Sequence, residues 1–187
     1  MLADVAKVTL PATAADLSVL QVGQPVLLSG TVYTARDATH VRIAEALAAT
    51  GALPFDLAGQ ALFYAGPTPP AAGRPVGSVG PTTAKRMDAW TPALLDAGIT
   101  VTIGKGARAE AVREACVRTG AVYFAAVGGS AALLATHVQS AETVAWPELG
   151  TEALVRMELV DFPVFVAIDA AGRDLYATAP AEWKVTL

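Results

Sequence analysis

Cysteine is nearly absent from this sequence, because Cys116 is the single one among 187 residues. One thiol can form no disulfide within the chain, and it supplies too few ligands for a multi-cysteine metal site. The lack of a disulfide framework fits a reducing compartment, so we expect a cytoplasmic protein. Cys116 falls on the apolar side of a predicted helix, and we expect it to be a buried structural thiol.

Long apolar runs and blocks of positive charge are also missing. Charges and prolines interrupt every stretch before it reaches the roughly 18 apolar residues that a membrane-spanning helix needs. The first residues have neither a basic region nor a long apolar core, so no signal peptide is expected. Lys and Arg number 13 against 17 Asp and Glu, which gives a net charge of −4. We therefore expect neither a membrane nor a nucleic acid as a partner.

Aromatic residues make up only 6% of the chain, whereas hydrophobic residues make up 53% and charged residues 16%. This composition excludes intrinsic disorder and is sufficient for a substantial core. The length predicts one domain, which we expect to comprise residues 1–187. Many Ala, Val and Leu with few aromatics are typical of helices packed on β-sheets.

Apolar runs typical of strands alternate with helical spacings through much of the chain. The predicted strands are 6–10, 26–34, 61–64, 100–103 and 121–127, and the main predicted helices follow Asp37, Thr91, Ala107 and Ser130. Three further strands, 138–146, 154–159 and 164–168, have no helices between them. The pattern favours a layered α/β domain whose sheet is partly antiparallel, with a site at the strand ends.

The stretch 77–88 combines glycines, a proline, hydroxyls and two cations directly before a helix-like segment. Thr82 and Thr83 stand where an N-cap would, and the free N–H groups of a helix start can bind an anion. Arg86 would lie one turn beyond Thr82 on the same side. The stretch therefore predicts a hydroxyl, N–H donors and a guanidinium around one negative group, and a capped helix with solvated cations is the alternative.

Two other cations begin loops that follow predicted strands. Arg36 comes just before a helix that Asp37 would cap and that carries His40 in its first turn. Arginine binds carboxylates in a bidentate fork, although a structural pair with Asp37 is equally compatible with the sequence. Lys105 lies between two glycines, but the spacings of phosphate-binding and dinucleotide-binding loops are missing. A cation-rich site in an acidic protein predicts a small dianionic substrate, yet no electrophile or strong base is evident.

Seven motifs in order cover nearly the whole chain. They occupy residues 28–40, 64–69, 80–88, 103–106, 127–133, 148–153 and 161–163, and they read LSGTVYTARDATH, YAGPTP, GPTTAKRMD, IGKG, VGGSAAL, ELGTEA and DFP. Together they resemble the β-type subunit of iron–sulfur hydro-lyases, a family that contains class I fumarate hydratase and L(+)-tartrate dehydratase. The chain departs from the expected pattern at Thr39 and Ser130, where we expect Ala.

The resemblance implies a "swivelling" β/β/α domain with a mixed sheet. It also implies a [4Fe–4S] cluster held by three cysteines of a separate α subunit, with no metal ligand in this chain. The open iron of that cluster would supply the missing electrophile. The implied assembly is an α2β2 hetero-oligomer with the α subunit, or a homodimer of this chain alone, and the implied ligand is a small dicarboxylate.

The resemblance also assigns roles to single residues. Thr82 would remove the C3 proton, and it would need a carboxylate of the partner subunit to take that proton onward. Arg36, Arg86 and Lys105 would bind the substrate carboxylates. Residues expected to support these groups without touching the substrate are His40, Asp37 and Thr83.

The expected reaction is the reversible hydration of fumarate to malate, with activity only in the presence of the α subunit. Tartrate dehydration to oxaloacetate is the alternative within the family, because the two substrates differ by one hydroxyl. A non-catalytic domain that binds anions or another subunit is the alternative outside it.

Overall fold

Strands and helices are described for residues 5–51, 56 and 58–184 in a computed structural model of the chain. The strands are β1 Ala6–Leu10, β2 Pro25–Thr34, β3 Ala61–Phe63, β4 Val101–Gly104, β5 Val122–Ala125, β6 Val138–Ala145 and β7 Leu154–Ile168. The α-helices are α1 Ala14–Leu17, α2 Asp37–Thr50, α3 Thr91–Asp96, α4 Glu110–Thr119, α5 Ala131–Leu134 and α6 Leu175–Trp183. Short 3₁₀ helices span Ala84–Met87, Ala135–His137 and Pro147–Glu152.

The strands form one mixed sheet in the order β1-β2-β3-β4-β5-β7-β6, and β2 also pairs with β7. Strands β1 to β5 run parallel to one another, whereas β7 runs antiparallel to β2, β5 and β6. Because β7 pairs with both β2 and β5, the pairings among β2, β3, β4, β5 and β7 close into a ring. The predicted α/β class and mixed sheet are confirmed.

Strands β3, β4 and β5 are buried on both faces, as is usual for parallel strands that lie between two layers. Phe63 of β3 belongs to an apolar cluster that also contains Phe162 of β7. Its neighbour Leu62 belongs to a second cluster, which contains Ile43 of α2 and Cys116 of α4. Alternate residues therefore face helices on one side and the opposite strands on the other, which gives β/β/α layers.

Strand β7 corrects one prediction, because the sequence around Asp161 and Pro163 indicated a break between two strands. The structure has one strand through this region, with Pro163 opposite Leu27. Asp161 adopts a positive φ of 49°, and the register against β2 shifts between Leu28 and Gly30. A bulge of this kind accommodates an extra residue, so pairing continues on both sides of it.

Helix boundaries also differ from the prediction. Arg36 occupies the N-cap position of α2, and Asp37 is its first helical residue, whereas Gly51 ends the helix in the left-handed conformation as expected. Helix α6 was not predicted; Asp174 accepts a hydrogen bond from the Tyr176 N–H at its start. Half of the predicted loop 53–60, residues 53–55 and 57, lies outside the described residues. Within the described ranges no helix is long and apolar enough to cross a membrane.

Candidate functional site

The parallel strands β2 to β5 direct their carboxyl ends to one edge of the sheet, and the predicted site residues follow those ends. Thr82 is held there through its backbone, since its N–H donates to the Tyr64 carbonyl at 2.6 Å and its carbonyl accepts from Lys105 N–H at 3.1 Å. Thr83 forms a parallel bridge with Lys105, and the Ala84 N–H donates to the Lys105 carbonyl at 2.9 Å. Residues 82–84 thus lie between the ends of β3 and β4.

Glycine permits this close approach at the end of β4. A Cβ at Gly104 would lie 2.9 Å from the Ala84 Cβ and 2.9 Å from Cδ2 of the Tyr64 ring. Contacts below 3.0 Å force neighbouring atoms to shift, and here the neighbours are a buried ring and a backbone-anchored Cβ. Gly104 therefore lets the segment that carries Thr82 pack directly on the sheet edge.

Arg36 lies at the end of the loop after β2 with its guanidinium beside Glu152. The two form an ion pair with an Nη2–Oε1 distance of 3.3 Å, and each side chain is 25% exposed. The Arg36 Nε is buried and has no hydrogen-bond partner. Among the described residues the Arg36 side chain donates no hydrogen bond, so the exposed part of its guanidinium can donate to a ligand carboxylate.

Arg86 is engaged differently, in a fork with Asp37. Its Nε donates to Oδ1 of Asp37 at 2.9 Å, and its Nη2 donates to Oδ2. Partial burial opposes ionisation of Asp37, but the hydrogen bonds from Arg86 lower the pKa of that carboxyl below its usual value. The fork ties the first turn of α2 to the 3₁₀ helix Ala84–Met87. The alternative that Asp37 pairs with Arg36 is not what the structure has.

The expected anion-binding helix start at Thr82 and Thr83 is not found. Thr83 takes the N-cap position of a four-residue 3₁₀ helix, and its side chain makes no capping hydrogen bond. A helix of one turn has too small a dipole to bind an anion by itself. Thr83 instead pairs with Lys105 through its backbone. Binding of an anion at this edge therefore depends on the side chains of neighbouring residues and not on a helix start.

Thr82 and Lys105 carry the uncommitted groups of the site. Thr82 is half-buried, and its hydroxyl has no hydrogen-bond partner in the described part of the chain. Lys105 is exposed, and a Cβ at Gly128 would lie 3.5 Å from its Cδ, so its aliphatic stem passes along the loop after β5. The structure therefore brings a free hydroxyl and a free ammonium to the same edge as the two arginines.

His40 is buried directly behind Arg36. Its Nδ1 lies 2.7 Å from the Arg36 carbonyl, and a carbonyl only accepts, so Nδ1 carries the proton. Its ring packs against Tyr64 and Trp90, with centroids 5.5 and 5.6 Å away. Burial lowers the pKa of His40 to about 4, which keeps the imidazole neutral at pH 7. A neutral ring that holds the Arg36 backbone fits the supporting role expected for it, which stays a prediction.

A buried ion pair beneath the site was missed by sequence reasoning. Arg108 Nε donates to Asp88 Oδ1 at 2.6 Å, and the Ala109 N–H donates to Oδ2 at 2.6 Å. Arg108 also donates to the Thr91 hydroxyl at 2.7 Å, and its guanidinium lies over the Tyr64 ring. Burial opposes its charge, but Tyr64 and Asp88 raise the pKa of Arg108 above its usual value. The only sequence signal was the position of Asp88 within the GPTTAKRMD motif.

Glu152 lies in the ELGTEA motif, and its residue type made it a candidate for acid/base work or for capping the connector, but its contact with Arg36 was not predicted. Its carboxylate faces Arg36 and accepts a hydrogen bond from the Ala38 N–H at 2.9 Å. It thereby satisfies one of the free N–H groups at the start of α2. A carboxylate near a helix N-terminus is also favoured by the helix dipole.

The described residues contain no group of three or more His, Cys, Asp or Glu that could hold a metal ion. Cys116 is fully buried in the helix layer, and burial raises the pKa of its thiol to about 11. Cys116 is therefore a buried, inert thiol, and its predicted burial is confirmed. The described part of the chain has no ligand set for an iron–sulfur cluster.

Two cavities of about 400 and 420 Å³ border the outer strands. One lies between the proline-rich loop that follows Gly66 and strand β6. The other is lined by residues that include Tyr33 and Arg156. Neither is lined by Arg36, Thr82, Arg86 or Lys105, so the cations belong to an open sheet edge and not to these cavities.

Fold and site together define an α/β domain that presents cations and a free hydroxyl at the carboxyl ends of parallel strands. The chain belongs to the family described as "Fumarase C-terminus", which matches residues 2–179. The family resemblance inferred from the motifs is confirmed.

The chain is similar to curated proteins of two kinds. It is 39% identical over 164 residues to "Fumarate hydratase class I, anaerobic" of Escherichia coli (strain K12), a match that covers 87% of this chain and 30% of that protein. To "Fumarate hydratase 1, mitochondrial" of Leishmania major it is 37% identical over 169 residues, or 89% of this chain and 31% of that protein. It is 36% identical over 174 residues to "L(+)-tartrate dehydratase subunit beta" of E. coli (strain K12), a match that covers 90% of this chain and 85% of that protein. The chain thus spans under a third of these fumarate hydratases and most of the tartrate dehydratase subunit.

Proposed function

We propose that this chain is the β-type subunit of a hydro-lyase that reversibly hydrates fumarate to malate. The observation that carries the proposal is the convergence of Arg36, Thr82, Arg86 and Lys105 at one edge of the sheet. Three cations and one hydroxyl at the same edge suit a small dicarboxylate. The names of the fumarate hydratase relatives support the reaction.

The chain's own residues divide the work of binding and proton transfer. Arg36 and Lys105, whose donors are free among the described residues, bind the substrate carboxylates. Arg86 contributes charge while Asp37 holds it in place. In the dehydration direction the Thr82 hydroxyl removes the C3 proton of malate. The cations stabilise the negative charge that builds on the substrate as this proton leaves. A threonine hydroxyl is a weak base, so a carboxylate of the partner subunit takes the hydroxyl's own proton as the oxygen accepts the C3 proton.

The cofactor of the proposed reaction is a [4Fe–4S] cluster held by three cysteines of an α subunit. When bound there, the cluster supplies an open iron that acts as a Lewis acid on the substrate. The absence of a ligand set among the described residues of this chain supports an assignment to the partner. Arg86 and Lys105 are exposed, which supports coverage of the site by that partner in a cytoplasmic α2β2 assembly.

Tartrate dehydration is the second candidate reaction. The observation that favours it is coverage, because the match spans 85% of a relative that is itself named as a subunit. The fumarate hydratase relatives are about three times longer than the matched segment. A pocket group that reads the extra hydroxyl of tartrate would distinguish the two reactions.

The test is anaerobic co-expression with the cluster-bearing α chain, reconstitution with iron and sulfide, and assays with fumarate, malate and both tartrate enantiomers. We expect fumarate hydration by the complex, and a colourless, inactive chain when it is expressed alone. T82A is expected to keep assembly and cluster content while turnover falls at least a hundredfold, in the range typical for loss of a proton-transfer group. Inertness of the wild-type complex on all four substrates would overturn the proposal, and near-normal turnover of T82A would remove Thr82 from the mechanism.

A further inference from the structure

The side chain of Glu152 is anchored to the first turn of α2 independently of Arg36. One carboxylate oxygen accepts the Ala38 N–H at 2.9 Å, and the Thr39 hydroxyl donates to the backbone carbonyl of Glu152. Thr39 is fully buried, so this hydroxyl contact lies inside the protein. These two hydrogen bonds therefore fix the position of the Glu152 carboxylate without any contribution from Arg36.

Arg36 is confined between that carboxylate and Gly66. A Cβ at Gly66 would lie 2.9 Å from Nη1 and 3.2 Å from Cδ of Arg36, so the guanidinium packs directly on the glycine backbone. On its other side Nη2 lies 3.3 Å from Glu152 Oε1. The contact is an ion pair without an aligned hydrogen bond, unlike the fork between Arg86 and Asp37. Arg36 is thus held in place while its hydrogen-bond donors stay available.

We infer that Glu152 is a positioning residue, whose charge orients Arg36 for a substrate carboxylate. This inference rests on the proposed function, since it takes Arg36 as a binding group. Charge attraction at 3.3 Å in a largely buried setting restrains the guanidinium without consuming its donors. An opposite role is a carboxylate that occupies Arg36 until substrate displaces it. The separate anchoring of Glu152 on Ala38 and Thr39 favours the positioning role.

The test compares E152Q with E148Q in the reconstituted complex. Glutamine keeps the size of Glu152 and can still accept the Ala38 N–H, but it removes the charge that faces Arg36. Glu148 lies on the same 3₁₀ helix and pairs at 3.2 Å with Arg42, which makes E148Q a matched control. We expect E152Q to raise KM for the dicarboxylate about tenfold with kcat within about threefold, because ground-state and transition-state binding are lost together.

Each result decides between the roles. E148Q is expected to leave both constants unchanged. An unchanged KM in E152Q overturns the inference, and a lowered KM does so in favour of the displaced carboxylate. Should E152Q fail to assemble, E152D keeps the charge on a shorter side chain and is expected to raise KM above that of wild type. An inert wild-type complex would instead contradict the proposed function.

An NMR measurement that needs no turnover distinguishes failure of the positioning role of Glu152 from failure of the proposed function. In the full chain we expect the Arg36 Nε–H to give one slowly exchanging NMR signal, assigned with R36K, because that nitrogen is buried. The signal should broaden or exchange at least fivefold faster in E152Q and stay unchanged in E148Q. An identical signal in E152Q overturns the positioning role even if the enzyme is active.

Discussion

His40 illustrates how the surroundings of a single residue determine its chemistry. From the sequence it was a histidine near a helix start, with a supporting role expected but no contacts. In the structure it is buried among Tyr64, Trp90 and the Arg36 carbonyl, and its pKa is lowered to about 4 by burial. Asp37 opposes that shift, whereas Arg108 adds to it. A side chain so placed is neutral at pH 7 and does not serve as the general acid in its cationic form.

The lowered pKa of His40 predicts a loss of stability in mild acid. Well above pH 6.5 His40 is neutral in both the folded and the unfolded state, so it contributes no pH dependence there. As the pH falls from 6.5 toward 4, the unfolded chain takes up a proton that the folded chain does not, and the free energy of unfolding decreases. Between pH 7 and 5 we expect His40 to account for a decrease of about 2 kcal/mol.

Urea denaturation of wild type, H40Q and H137Q at pH 7 and 5 checks this prediction. The difference between the two pH values should be smaller in H40Q by about 2 kcal/mol. H137Q removes the other histidine of the chain and serves as the comparison. If the free energy of unfolding of H40Q changes between pH 7 and pH 5 as much as that of wild type, the assignment of a neutral buried His40 is contradicted.

Among elements, Asp88 is the residue that joins the site segment to the helix layer. It follows the 3₁₀ helix Ala84–Met87 that carries Arg86, and it accepts from the Ala109 N–H just before α4. Its other oxygen pairs with Arg108, whose side chain is fully buried. The position of the segment 82–86 on the sheet edge therefore depends on a buried charge pair as well as on the backbone bonds of Thr82.

Loss of the charge of Asp88 should destabilise the fold strongly. In D88N the Arg108 guanidinium stays buried without a counter-charge, and breaking a buried pair in this way costs about 3–5 kcal/mol. D96N is the matched control, because Asp96 pairs with Arg118 on the surface, with side chains about half exposed. Exposed pairs contribute less than about 1 kcal/mol. Chemical denaturation measures both variants, and equal losses in D88N and D96N would refute the structural role of the buried pair.

For the molecule as a whole, closure of the sheet is the feature that brings the site together. Strand β7 pairs along nearly all of β2, although more than half of the chain separates them in sequence. Its last residues pair with β5, which completes the ring. The loops after β2, β3, β4 and β5 then leave the same edge, and no half of the chain has a complete sheet without the other.

This closure predicts that the chain unfolds as one unit, which tests the expectation of a single domain over residues 1–187. Because β2 and β7 depend on each other, neither the first nor the second half should unfold separately. Scanning calorimetry should give one transition in which the calorimetric and van't Hoff enthalpies agree. Two resolved transitions, or a van't Hoff enthalpy well below the calorimetric one, would show two independent units.

Much of the site could be predicted because its residues follow strand ends that local patterns reveal. The alternation of strands and helices located β2 to β5, and parallel strands bring their carboxyl-end loops to one edge. Arg36, Thr82, Arg86 and Lys105 were found in this way and through the motifs that contain them. The order and extent of those motifs sufficed to identify the family. Local residue types and their spacing contain this information.

Only the tertiary structure determined which charged side chains form ion pairs with each other. Asp37 pairs with Arg86 and Glu152 with Arg36, while Asp88 and Arg108 lie buried together. The continuity of β7 through Asp161 is likewise a matter of its partner strand, since a bulge persists only where pairing on both sides stabilises it. Hydrophobic periodicity and capping residues indicate only the local structure that neighbouring residues in the sequence adopt. The free energy of a buried ion pair or a strand pairing depends on groups distant in sequence, so it is determined only when the sheet closes.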